Sequence, residues 1–522
     1  MSTQGRNPEH QLIVIVDYGS QYNQLIARRV RELNVFARIV TPSVTASELQ
    51  AMSPTGLILS GGPRSVYEEG APSLDPQILA LGIPVLGICY GMQVMARLNG
   101  IAVHPAEDRE YGHRELHVTA ESPLFAGTSR TQVVWMSHGD QIESMDGTFE
   151  ILAKTTSCPA AAVKHRTSKQ YGIQFHPEVM HTREGTRILR NFLFDICGCT
   201  GDWKMGSLVD ELVSKIRARV GDRRVLCGVS GGVDSTVAAT LVHRAVGSNL
   251  TCVFVDNGLL REDESAEVAG LFRDHLRVDF RAVDAGPAFL KALAGVVDPE
   301  TKRKRIGHTF IDVFRAEALR AHQAGYHYLV QGTLYPDVIE SVSAHGGPSA
   351  TIKTHHNVGG LPKDLGFELL EPLRDLFKDE VRRLGAELGL DDALVWRQPF
   401  PGPGLAVRVL GEVTEERLRV LRAADAVVRE EIRADGLERE LWQWFAVLLP
   451  VNSVGVMGDG RTYENVCAIR AVTSTDAMTA EWAHLPYEVL SRMSRRIVNE
   501  VRGINRVVYD ISSKPPATIE WE

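Results

Sequence analysis

The chain has no apolar run near the ~20 residues that a bilayer span needs, so no membrane partner is expected. Cysteine is scarce, with seven in 522 residues, too few for a disulfide scaffold. Cys197 and Cys199 are separated by one residue, a poor spacing for a metal or redox pair. Residues 1–11 are polar and do not read as a signal peptide. Together these features make a reducing cytoplasm the expected home. Positive charge is not in excess: 57 Lys and Arg against 65 Asp and Glu leave a net charge of −8. That balance argues against a nucleic-acid partner. No internal repeat or low-complexity tract is seen. What remains is ordinary globular composition, 44% hydrophobic and 23% charged, over a length suited to about three to four domains.

Strand-like and helix-like stretches alternate from the start. Residues 12–16 and 36–40 read as strands around a helical stretch at 21–33, and strands follow at 57–59 and 85–88. The turn-rich run 197–202 closes this unit. A second alternating unit begins near Ser207, with strands at 224–229, 250–255 and 328–330. After Pro399 the texture changes. A charged amphipathic helix is expected at 415–435, strand-like segments at 444–450 and 454–457, a helix near 487–501 and a strand near 507–511. The expected class is α/β: two doubly wound parallel-sheet domains, 1–204 and 205–400, then a small α+β domain, 401–522. The tail from Lys514 is polar and proline-rich, and such an end frays unless something ties it down. Lys302-Arg303-Lys304-Arg305 reads as a solvated helix face, with a phosphate-facing role as the alternative.

One glycine-rich loop lacks the lysine that most phosphate loops carry. Ser230, Gly231, Gly232, Val233, Asp234, Ser235 and Thr236 follow an apolar strand and open a helix. That geometry aims backbone N–H groups and a helix N-terminus at an anion. A Walker loop requires Gly-Lys-Ser/Thr, which is absent. Asp234 would repel phosphate unless a cation intervened, and Mg2+ is the expected one. A plain glycine-rich turn before a helix is the alternative. The ends of the next strands, at Asp256 and Gly332, would face adenine and ribose.

A second constellation lies upstream. Gly87-x-Cys89-x-Gly91 follows a strand and precedes an apolar helical stretch, the form of a nucleophile elbow with cysteine in place of serine. The helix N-terminus favours the thiolate. Gly61 and Gly62 follow another strand and, with the N–H of Tyr90, would supply an oxyanion hole. His176 is the candidate base and Glu178 its orienting partner. Taken singly, a buried Cys is inert packing and a lone His a satisfied core residue. Ser2 closes the alternative route through an N-terminal cysteine.

These residues carry two resemblances. Ser230 to Ser235 resemble the loop of the N-type ATP pyrophosphatases, which cleave ATP between the α- and β-phosphates and adenylate a substrate. Gly87-x-Cys89-x-Gly91 with His176-Pro177-Glu178 resembles the class I glutamine amidotransferases. That likeness implies that Cys89 forms a glutamyl thioester, His176 shuttles the proton, Glu178 holds His176, and Gln93 contacts glutamine. The order of the two parts, with Asp17 to Tyr22, Val255 to Arg261, Gln331 to Asp337, Lys353 to Asn357 and the tail, resembles the glutamine-hydrolysing GMP synthetases. The apolar segments at 444–450 and 454–457 suggest that the last domain also buries a surface against a second copy, making a homodimer. The resemblance implies amination of XMP through an adenylated intermediate, with glutamine, ATP and XMP as substrates. It also implies XMP contacts from Arg261, Pro401, Gly402, Pro403, Gly404, Lys514 and Glu520, and an ATP contact from Lys353. His355 and His356 have no assigned role. An NAD synthetase, a tRNA-thiolating enzyme and a non-enzymatic nucleotide or glutamine sensor are the rival readings.

Overall fold

The structure, a computed structural model, describes residues 10–20, 22–142, 147–343, 366–457, 460–474 and 479–522. It divides into two compact units, Met1–Lys204 and Met205–Glu522.

The first unit is built on a nine-stranded sheet. Its strands are β1 (Leu12–Val16), β2 (Phe36–Val40), β3 (Gly56–Leu59), β4 (Val85–Ile88), β5 (Val103–Val118), β6 (Thr131–Ile142), β7 (Phe149–Lys154), β8 (Ala162–His165) and β9 (Gln170–Ile173). Their spatial order is β2-β1-β3-β4-β9-β8-β7-β5-β6. The strands from β2 to β9 are parallel. Every residue of β1, β3 and β4 is buried, as expected where helices cover both faces. The other half, β8-β7-β5-β6, is antiparallel and was not anticipated. β6 alternates between buried and more exposed positions and β7 and β8 are only partly buried, so none of the three reads as a continuous buried run.

The second unit opens with a fully parallel sheet of β10 (Arg224–Val229), β11 (Leu250–Asp256), β12 (Asp279–Asp284), β13 (Tyr326–Val330) and β14 (Glu368–Leu370). Their order is β12-β11-β10-β13-β14. The strand order reverses beside β10, which places the loop after β10 at the topological switch point where such sheets bind ligands. The chain then forms a mixed sheet. The long hairpin β15 (Gln443–Met457) and β16 (Gly460–Thr473) is joined by β17 (Glu481–Trp482), antiparallel to β16, and β18 (Ile504–Tyr509), parallel to it. One apolar cluster runs from Leu226 and Phe289 through Leu405 and Leu421 to Trp444 and Ile497. The core is therefore continuous between the parallel sheet and the mixed one.

Three expectations need correcting. Lys302 is no solvated side chain: it is fully buried, and its Nζ donates to Val409 O (2.7 Å) and to Glu522 Oε2 (2.5 Å). Residues 444–448 are the unit's own core and leave no surface for a partner there. The tail is not frayed. Arg470, itself fully buried, donates to Ser512 O, Thr518 O and Ile519 O, and Arg408 grips Glu520 with two hydrogen bonds of 3.0 and 2.8 Å. Among the described residues no helix is long and apolar enough to cross a membrane.

Candidate active sites

In the first unit the parallel strands β3, β4 and β9 end together. Each end contributes one part of a site. Cys89 follows β4 at φ 50° and ψ −108°, a conformation that L-residues seldom adopt and that this turn enforces. Gly87 and Gly91 make the turn possible. A Cβ on Gly87 would lie 2.6 Å from Met92 N, and one on Gly91 2.2 Å from Leu59 O. The N–H of Gly91 donates to Ser60 O (2.9 Å), which ties the elbow to the loop after β3. In that loop a Cβ on Gly61 would meet His176 Cε1 at 3.1 Å and Cys89 Cβ at 3.8 Å. A Cβ on Gly62 would meet Tyr18 O at 2.9 Å. A side chain at Gly62 would thus collide with backbone, and one at Gly61 would press on His176, so Gly61 lies directly beside the Cys–His pair.

His176 follows β9. Its backbone N–H donates to Trp135 O (3.0 Å), and its Nδ1 lies 2.7 Å from Glu178 Oε1. Burial works against a charged ring, but Glu178 and the Cys89 sulfur outweigh it and hold the His176 imidazolium well above its ordinary range. Such a ring can hand a proton to a leaving group at neutral pH. Tyr90 opens the helix Tyr90–Leu98 and anchors its hydroxyl on Pro72 O (2.7 Å). Gln93, one turn on, is buried and donates to Asp140 O (3.1 Å). Gln174, absent from the sequence expectations, donates its Nε2 to Cys89 Sγ (3.5 Å). Glu110, His138 and Cys158 form a buried cluster of metal-ligating side chains. Its carboxylate is already taken up: Thr155, Ser157 and His138 all bond to it. Burial opposes that charge, but the three hydrogen bonds outweigh it and hold the Glu110 carboxyl down at about 2.

In the second unit the loop after β10 turns into the helix Val233–Val246. Gly231 sits at φ +77°, and a Cβ there would strike Val268 Cγ2 at 2.4 Å. Ser230 N and Oγ both lie 3.2 Å from Ser235 Oγ, and the hydroxyls of Ser235 and Thr236 donate to Gly232 O (3.1 and 2.9 Å). Hydroxyls and N–H groups thus gather at one helix N-terminus, an arrangement fit for phosphate. Gly332, after β13, packs against this turn: its Cβ would lie 3.6 Å from the Asp234 carbonyl carbon. Asp256 ends β11 and accepts from Gly258 N (2.9 Å). Asp234 Oδ2 takes Lys378 Nζ at 3.3 Å, while its Oδ1 is buried with no hydrogen-bond partner. An orphaned carboxylate oxygen at a phosphate loop fits a hard cation such as Mg2+. Lys378 lies far from the loop in sequence and was missed. Lys353, His355 and His356 lie outside the described residues.

A third cluster gathers on the mixed-sheet side of the second unit. Arg261 and Asp425 are buried, 3.3 Å apart, and Arg408 and Arg429 also approach Asp425. Arg261 Nε and Nη2 and Arg408 Nη1 are buried without hydrogen-bond partners. Burial, partly offset by Asp425, lowers the Arg261 guanidinium to about 10. Its face lies over Phe400, 4.6 Å from the ring centre. Pro401, Gly402, Pro403 and Gly404 form a tight turn beside it. Gly404 N donates to Pro401 O, and a Cβ on Gly404, at φ +63°, would meet Leu259 O at 2.4 Å. Glu520 reaches the cluster through Arg408. Lys514 is fixed by its backbone, which pairs with Ala480. Arg408 and Asp425 had no signal in the sequence beyond charge in an apolar setting.

Family models cover these parts in order. The class-I glutamine amidotransferase model matches residues 14–196, the NAD synthase model 205–340, and the GMP synthase C-terminal domain model 430–521. Glutamine-hydrolysing GMP synthases of Brachyspira hyodysenteriae and Heliobacterium modesticaldum are each 57% identical to this chain, and that of Geobacillus kaustophilus is 56% identical. Each alignment covers 98% of this chain and 99% of the relative. The NAD synthase likeness is confined to the stretch holding the phosphate loop, whereas these relatives share all three parts. The chain therefore belongs to the glutamine-hydrolysing GMP synthases, ligases that make GMP with nitrogen from glutamine.

Proposed function

We propose that the Cys89 thiolate attacks the carboxamide carbon of glutamine. Gly61, Gly62 and the N–H of Tyr90 stabilise the oxyanion, and Gln93 contacts the substrate. His176 protonates the departing ammonia, and Glu178 holds the ring. Water then releases glutamate from the thioester. The observation that carries this reading is Cys89 in its strained elbow beside the His176–Glu178 pair.

Residues Ser230 to Thr236 cradle the β- and γ-phosphates of ATP, with Asp256 and Gly332 toward the nucleoside and Lys353 toward the phosphates. Asp234 holds Mg2+, whose charge when bound offsets that of the pyrophosphate. The C2 oxygen of XMP attacks the α-phosphorus and pyrophosphate leaves. Ammonia attacks C2 and AMP leaves, giving GMP. Arg261, Pro401, Gly402, Pro403, Gly404, Lys514 and Glu520 contact XMP. The domains run 1–204, 205–400 and 401–522, the last separated by role within one continuous core. A second copy covers the exposed Val454, Val456 and Tyr463, making a homodimer. The seven cysteines, none of them in a disulfide, suit a reducing cytoplasm.

Incubation with glutamine, ATP and XMP tests the scheme. Glutamate, GMP, AMP and pyrophosphate should appear in equal amounts. ADP and orthophosphate in their place would refute it.

A further inference from the structure

The direction of one buried hydrogen-bond chain is dictated by the backbone. Asp140 O, near the end of β6, is a carbonyl and can only accept. Gln93 Nε2 lies 3.1 Å from it and 3.4 Å from Gln174 Oε1, and Gln174 Nε2 lies 3.5 Å from Cys89 Sγ. Gln93 must turn its NH2 group to the carbonyl, because a flipped amide would set oxygen against oxygen. Its second hydrogen then goes to Gln174 Oε1. Gln174 in turn must present NH2 to the sulfur.

The anchor of the chain is itself held. His138 Nδ1 lies 3.0 Å from the same Asp140 O, and its Nε2 lies 3.1 Å from Glu110 Oε2. Glu110 Oε1 accepts the hydroxyls of Thr155 and Ser157 at 2.8 and 2.5 Å. Gln93, Gln174, His138 and Glu110 are all buried, where misdirected donors are costly and a satisfied network is rigid.

We propose that Gln174 is a further catalytic residue, donating an N–H to the Cys89 sulfur and so favouring its thiolate. Gln93, His138 and Glu110 are positioning residues that fix the direction of that donation. The inference rests on the reading of Cys89 as nucleophile. An N–H donor helps a thiolate far more than a neutral thiol. The other ionisable groups around the sulfur are His176, backed by Glu178, and Cys158, whose thiol burial and Glu110 push up to about 12.

The test is the pH profile of Cys89 alkylation by iodoacetamide in the full chain, with Cys89→Ser giving the background from the other cysteines. Gln174→Leu should raise the midpoint by about one pH unit and slow alkylation about tenfold at pH values below the wild-type midpoint, the effect of one hydrogen bond to a charged group. Gln93→Leu, which keeps the Gln174 amide but frees it to flip, should shift the midpoint the same way by less. Circular dichroism reports folding. If Gln174→Leu does not fold, Gln93→Leu decides the matter. An unchanged profile in the folded variants overturns the proposal. The separate finding that Cys89→Ser still hydrolyses glutamine would overturn the nucleophile reading instead.

Discussion

At the scale of single residues, charge decides most of what this chain can do. His176 is held charged by Glu178 and the Cys89 sulfur despite its burial. Because its folded value is raised, the ring keeps its proton above the ordinary 6.5, and glutamine hydrolysis should persist on the alkaline side. The shift adds stability below 6.5 and loses it as pH rises through the folded value. Glu178→Gln should draw the alkaline limb of glutamine hydrolysis back toward 6.5, and a limb that stays put would contradict the ring's dependence on Glu178. If Asp234 holds Mg2+ as proposed, Asp234→Ala should abolish GMP synthesis from glutamine and from ammonia alike. Steady-state rates with both nitrogen sources check this. Cys89, His176, Glu178 and Asp234 were legible because each sits in a short local motif at the end of an apolar run. Gln174 sits two residues before His176 yet carried no signal, since its value comes from Gln93 and Cys89 across the fold. Lys378 and Arg408 were hidden for the same reason. Lys302 was misread because a run of four basic residues hides which one the helix turns inward.

At the scale of elements, strand ends and tight turns carry the chemistry. Gly91→Ala places a methyl group 2.2 Å from Leu59 O, a backbone atom that cannot step aside. That substitution should cost on the order of 2–4 kcal/mol and lower the urea midpoint of the first unit. Glutamine-dependent synthesis should fall with it. Wild-type stability in Gly91→Ala would mean that the elbow is looser than described. Most of the parallel strands were legible as continuous apolar runs, but β9 was not anticipated, nor were β12 and β14, edge strands whose residues are largely exposed. The antiparallel half was not, because β5 to β8 are half-exposed and their pairing is non-local. The two strand-like segments at 444–450 and 454–457 proved to be one strand, β15, whose register with β16 shifts between Leu448 and Asn452. An irregularity of that kind interrupts the apolar pattern without ending the strand.

At the scale of the whole molecule, the tail is a strap held by buried cations. Arg408 and Lys302 are fully buried and take their carboxylates from Glu520 and Glu522. Deleting residues 514–522 would strip Lys302 of its carboxylate and leave Arg408 only Asp425, which Arg261 and Arg429 share, at a cost of about 3–5 kcal/mol for an uncompensated buried charge. The truncated protein should therefore unfold at a clearly lower temperature by calorimetry. Glu520→Gln keeps the strap's shape and isolates its effect on XMP affinity. Sequence alone could not foresee this, because a polar, proline-rich end looks the same whether it is free or clamped by charges from Lys302, Arg408 and Arg470. The central claim is that one chain frees ammonia at Cys89 and uses it at a separate, lysine-free phosphate loop. The most direct measurement is GMP formation by Cys89→Ala with glutamine and, separately, with ammonium. The account predicts no synthesis from glutamine and near wild-type synthesis from ammonium. Equal loss with both nitrogen sources, or full activity with glutamine, would contradict it.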